Sequence, residues 1–207
     1  MKRLAIFLLL AGAARAQAPP ASQLTPAAHA RQVAEFQREL NKEFKDPKES
    51  PLPAPAREKL QSLPFFPTDF TYYVEARLVR DSTSLPFALE TSTNRRPLYR
   101  KFGELHFTLK GENLKLSVYQ SQDLLKRPGF ENYLFVPFTD RTNGHGSYGG
   151  GRYLDLRIPP KGATTMPLDF NRAYNPSCAY APGYSCPVPP AENRLNVAIP
   201  AGVQHDH

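Results

Sequence analysis

Side chains able to do chemistry crowd between Asn132 and Val203. A glycine-rich stretch, Asn143-Gly144-His145-Gly146-Ser147-Tyr148-Gly149-Gly150-Gly151, runs into Arg152. A second stretch from Asp169 to Asn193 holds Cys178, Cys186, five prolines and three tyrosines. Glycines let the backbone reach positive φ, so that N–H groups can converge on an anion. A guanidinium beside such a loop suits carboxylate, phosphate or sulfate. Arg152 is therefore the expected anchor of a ligand site between the two loops, with Tyr148, Asn171, Tyr174, Asn175, Glu192 and Asn193 as polar walls. The competing reading is an irregular hairpin in which Arg152 pairs with Asp140, Asp155 or Glu192.

Acid–base chemistry has candidates too. His145 rides on the glycine loop and is the better general base, with Asp155 or Asp169 as carboxylate partner, which makes a hydrolase the alternative function. Asp169, ahead of Phe170-Asn171, is read first as a turn former. His106 alternates with Leu105 and Phe107 and reads as a strand residue. Gly144 to Gly149 fits GxGxxG by letter but lacks the strand–loop–helix setting of a dinucleotide site. His145 stands where a GxSxG nucleophile elbow needs glycine. No nucleophile–base–orienter series is visible.

Cys178 and Cys186 are the only cysteines. In an exported chain they are expected as a disulfide. Metal ligation is a competing reading and would need His145 or the tail His205-Asp206-His207. Neither a metal nor a cofactor is expected.

These loops need a frame. Thr25-Pro26 starts a helix, with Val33, Phe36, Leu40 and Phe44 on one stripe and Asp46-Pro47 as its stop. Ser50 to Pro55 reads as a stiff extended linker, and Arg57 to Leu63 as a short helical turn. Strands are expected at 70–78, 87–91, 105–109, 114–119, 133–138, 153–158, 165–170 and 195–199, with a tight turn at Lys110-Gly111-Glu112-Asn113. No helical pattern separates them. The expected fold is mostly β, an antiparallel barrel or sandwich of about eight strands with an N-terminal amphipathic helix.

The chain opens with Lys2-Arg3, an apolar run from Leu4 to Ala14 and the small-x-small site Ala14-Arg15-Ala16. Residues 1–16 read as a signal peptide, 17–49 as a flexible start plus helix, and 50–207 as one β domain. The expected location is the periplasm or outside the cell. No other apolar stretch is long enough for a membrane span. The net charge of +7 falls to +4 once Lys2, Arg3 and Arg15 are removed, and the basic residues form no run, so nucleic acid is not an expected partner. The expected partner is a small polar or anionic molecule: a carboxylate, a sugar or a peptide. A purely structural or assembly role is the third reading. Nothing in the sequence fixes an oligomeric state.

From roughly Ser50 to Gly202 the chain resembles an uncharacterised bacterial family, domain of unknown function 1684. Thr142, Gly144, Tyr148, Gly151, Arg152, Tyr153 and Leu154 carry the first half of the resemblance. Asp169-Phe170-Asn171, Ala173-Tyr174-Asn175-Pro176, Cys178-Ala179-Tyr180, Cys186-Pro187, Pro189-Pro190 and Glu192-Asn193 carry the second. Two acids of the family pattern are replaced, by Gly146 and Val203. The resemblance implies no reaction. It also implies members without a leader that carry the same cysteine pair, which keeps a free dithiol open.

Overall fold

The computed structural model describes residues 24–205, so the signal read over 1–16 lies outside it. Helix α1 (Pro26–Lys45) begins where Thr25 accepts a hydrogen bond from the N–H of Ala28, a cap that contributes about 1 kcal/mol. It ends at Asp46 before Pro47. His29, Val33 and Phe44 are its buried residues; His29 ties the helix to Asp169 and Phe44 packs on Tyr180. A short helix, α2 (Ala54–Lys59), starts earlier than the expected turn at 57–63, because Pro55 fits the first turn of a helix.

Seven strands follow: β1 (Tyr73–Arg80), β2 (Phe87–Ala88), β3 (Leu98–Leu109), β4 (Glu112–Ser121), β5 (Tyr133–Phe138), β6 (Arg152–Arg157) and β7 (Thr165–Asp169). They form one antiparallel sheet in the order β6-β5-β4-β3-β1-β7, with β2 added to β3. The sheet curls into a half-barrel. Strands β3 and β4 meet through Lys110-Gly111, both at positive φ (51° and 83°), which is the two-residue hairpin geometry.

The segment 195–199, expected as an eighth strand, is not one. It makes only single ties to the loop after β5: Leu195 N–H to Thr139 O at 2.8 Å, and Arg141 N–H to Val197 O at 2.9 Å. The N–H of Ile199 goes to the Asp140 side chain at 3.1 Å instead of a strand carbonyl. A side chain thus interrupts the ladder that the apolar pattern promised.

Period-two alternation gives the sheet two different faces. One carries the main core, with Leu105 and Phe107 of β3, Leu116 and Val118 of β4, Leu134, Val136 and Phe138 of β5, Leu154 of β6 and Leu168 of β7. The other carries an aromatic cluster of Tyr99, Tyr119, Phe135 and Tyr153, with Tyr133 and Tyr174 packed against it. The edge strands β6 and β7 do not pair with each other. A seam is left between them.

Candidate functional site

Arg152 does not point into a space between the loops. It is fully buried and points into the body of the domain. Its Nη2 donates to Asp140 Oδ2 at 2.6 Å, Thr142 Oγ1 at 3.3 Å and Ile199 O at 2.8 Å, while Nη1 donates to Ala201 O. Asp140 Oδ1 in turn accepts from the N–H and hydroxyl of Thr142 and from the N–H of Ile199. The guanidinium lies against the rings of Phe138 and Phe66. This hub ties the glycine loop to the C-terminal segment. The reason is parity: Arg152 shares the core-facing side of β6 with Leu154, and a buried guanidinium needs a buried carboxylate.

Several N–H groups of the glycine loop are taken up inside the loop. Gly144 donates to Ser147 O, His145 and Ser147 to Thr142 O, and Gly151 to Tyr148 O. The expected convergence on an anion is therefore absent from these groups. Glycine is required at two points of the block. Gly151 (φ 95°) would place a Cβ 2.6 Å from Pro189 Cγ and 2.7 Å from Phe138 O. Gly202 (φ 81°) would place one 2.4 Å from Ala173 O.

Two of the expected binding asparagines are backbone surrogates. Asn171 accepts from Asp69 N–H and donates to Asp69 O, both at 2.9 Å. Asn193 accepts from Ser117 N–H at 2.7 Å and donates to Ser117 O and Pro137 O at 2.9 and 2.7 Å. Both are buried and lost to a ligand. Asn175 is buried as well, with its amide donating to Tyr180 Oη and Gln204 O at 3.2 Å. Its Oδ1 has no partner. Asp169 takes the turn role, accepting from Asn171 N–H at 3.1 Å. Its other oxygen meets Nε2 of the buried His29, on α1, at 2.9 Å. His145 is exposed, with no carboxylate at ion-pair distance among the described residues, so it forms no dyad with Asp155 or Asp169.

Asp155 is different. It lies on the opposite face of β6 from Arg152, opposite Phe135 in register. Tyr133, diagonally across on β5, donates to Asp155 Oδ1 at 2.7 Å. Tyr174 donates to the same oxygen, also at 2.7 Å. Tyr174 is placed there by paired backbone hydrogen bonds with Tyr153, which lay the loop along the outer edge of β6. Oδ2 accepts nothing from the described residues. Although the Asp155 side chain is exposed at the surface, desolvation by the surrounding protein raises its pKa; the two tyrosine donors, and then Arg157 and Arg172, act against that rise. Both tyrosine hydroxyls are held above their ordinary value by desolvation and by this carboxylate.

Asp155 lines a cavity of about 620 Å³ in the seam. Leu154, Leu156, Ile158 and Met166 give it an apolar floor, while Tyr73, Arg172 and Asp169 lie on the β7 side. Tyr174 also lines a second, open cavity of about 270 Å³, together with Tyr99, Tyr133, Phe135, Tyr153, Tyr184 and Cys186. Helix α1 closes one side of the seam through Gln32 and Phe36.

The profile of a family described as "Protein of unknown function (DUF1684)" matches residues 58–204. The chain belongs to this family. An uncharacterized protein of Haloarcula marismortui, solved in solution by NMR, is similar at 35% identity and a TM-score of 0.67. The match covers 86% of this chain and 95% of that one. No protein of curated function matches.

In this DUF1684 protein the family-like block does two kinds of work. Arg152, Gly151, Asn171 and Asn193 build the frame, whereas Tyr174 lines the seam cavity and Tyr153 the second cavity. Tyr148 does meet the second loop, with its hydroxyl 3.9 Å from Cys178 Sγ. The two cysteines are not bonded to each other in this structure, so the expected disulfide is not shown. The N–H of Cys178 points at Cys186 Sγ at 3.2 Å, and burial pushes the Cys186 thiol up to about 12. Glu192 accepts from Tyr119 Oη and lies 3.6 Å from Lys101, away from Asp155 and its two tyrosines. No group of three or more metal-ligating side chains occurs among the described residues, and no described helix is long and apolar enough to cross a membrane. Sequence reading missed Tyr133, Tyr99, Tyr73 and Arg172. Only Tyr133 left a signal, as the diagonal cross-strand neighbour of Asp155 once β5 and β6 are paired.

Proposed function

We propose that this chain is an exported domain that binds a small polar organic molecule in the seam between β6 and β7, with Asp155 as its polar anchor. One observation carries the reading. An exposed carboxylate with one oxygen held by two tyrosines keeps its other oxygen without a donor among the described residues, at the wall of a cavity of about 620 Å³ lined by both apolar and charged side chains. Sites of that size and mixture are the usual form of a small-molecule pocket. The tyrosines fix the carboxylate in place, so a ligand N–H or O–H meets an oriented acceptor. The charge presented by this anchor is negative, the reverse of an anion site built on Arg152. Export is supported by the Lys2-Arg3 start, the short apolar run and Ala14-Arg15-Ala16.

A thermal-shift panel of sugars, amino acids, amines and carboxylates tests it, on the native protein and on Asp155→Asn. The expected result is a stabilising compound with a donor group whose effect disappears in Asp155→Asn. Silence across the panel, or a stabiliser indifferent to Asp155→Asn, would remove the seam as the site.

A further inference from the structure

Resting on the seam as the ligand site, we infer that its occupant is an amino-acid zwitterion with an apolar side chain, its ammonium on Asp155 and its carboxylate on Arg172. Four charged side chains line the seam cavity: Asp155, Arg157, Asp169 and Arg172. Two of them are already engaged. Asp169 gives one oxygen to His29 and the other to Asn171. Arg157 donates to Gly129 O at 3.2 Å and lies over the Tyr133 ring. The other two are not. Among the described residues Asp155 Oδ2 has no donor, and Arg172 has only the ring of Phe36, 5.2 Å from its guanidinium carbon.

Asp155 and Arg172 feel each other's charge, yet they form no ion pair within 4.0 Å. One cavity therefore holds an acceptor oxygen and a cation, both on exposed side chains, that do not pair with each other and have no other hydrogen-bond partner among the described residues. The backbone of Arg172 is placed by the turn at Phe170–Arg172, whose neighbour Asn171 is locked to Asp69; the Asp155 carboxylate is held by its two tyrosines. A ligand with only a cation leaves Arg172 unmatched, and one with only an anion faces Asp155. A zwitterion matches both. The floor of Leu154, Leu156, Ile158 and Met166 then receives an apolar side chain.

Calorimetric titration of the full mature chain with leucine, phenylalanine, leucinamide and N-acetyl-leucine tests this. Leucine or phenylalanine should bind, and each blocked leucine should bind about tenfold more weakly or worse, the loss of one charge-assisted contact. Asp155→Asn should weaken leucine and leave N-acetyl-leucine unchanged. Arg172→Gln should weaken leucine and leave leucinamide unchanged. Circular dichroism melts verify that both variants fold. If leucinamide or N-acetyl-leucine binds as tightly as leucine, the zwitterion is overturned and the seam stands as a binding site. If none of the four binds, the zwitterion is overturned too, and the wider panel above decides whether the seam binds anything.

Discussion

Arg152 and Asp155 sit three residues apart on one strand and behave in opposite ways. Odd spacing on a β-strand puts them on opposite faces. Arg152 enters the core, where every donor but Nε finds an acceptor, and Asp140 answers its charge. Asp155 faces the aromatic side, where two tyrosines hold one oxygen and leave the other open. The first arrangement is buried and ion-paired, and so belongs to stability. The second is exposed, with one oxygen held and the other open to solvent, and so can serve recognition. A charged side chain in a dense motif does not reveal which it is; its burial and its ion pair do.

The largest expected effect is on the closed side. Arg152→Ala strands the Asp140 carboxylate in the core and should cost about 3–5 kcal/mol in urea unfolding. An unchanged unfolding midpoint with a lost ligand response would erase the contrast and return Arg152 to the site.

Next comes the loop that joins the two regions, with Cys178 beside Tyr148 and Cys186 in the wall of the tyrosine pocket. Oxidising the thiols removes two protons and two electrons, taken up by a disulfide reagent such as oxidised glutathione, and closes one S–S bond. The closed loop is short and should raise unfolding free energy by about 2–3 kcal/mol. Thiols that still alkylate after oxidant treatment would show the loop cannot close.

Most of the frame was legible in the sequence. The N-cap at Thr25, the stop at Asp46-Pro47, the hairpin at Lys110-Gly111 and the alternation of β5 and β6 each follow from local rules, and each is found. The segment 195–199 was not legible, because its apolar pattern looks like a strand while its partners are the Asp140 side chain and an irregular loop. The site was half legible. Asp155 and Tyr174 were visible as candidates, but what sets Arg152 apart from Asp155 is which face of β6 meets the core, and that depends on the pairing of the whole sheet. Arg172 matters only because the loop after β7 returns along β6, a long-range placement that no window of sequence contains.

The smallest effect on stability should come from the open side. Asp155→Asn keeps an oxygen for Tyr133 and Tyr174, so unfolding free energy at neutral pH should change by no more than about 0.5 kcal/mol or rise slightly. The pH dependence sharpens the contrast. The folded pKa of Asp155 lies above its ordinary value of 3.8. Its contribution to stability is therefore present below the unfolded pKa and is lost as pH rises through the folded one. Affinity for an ammonium-bearing ligand runs the other way, growing as the carboxylate ionises. Parallel unfolding and titration series from pH 3 upward should show these opposed slopes in the native protein and neither in Asp155→Asn.

Carboxyl-carbon NMR of Asp155 across the acid range tests the central claim most directly. A poised, incompletely matched carboxylate should titrate above 3.8 in the free protein and move downward when saturating leucine is added. A midpoint at or below 3.8 that leucine leaves in place would contradict the account, because Asp155 would then be a satisfied structural residue like Asp140.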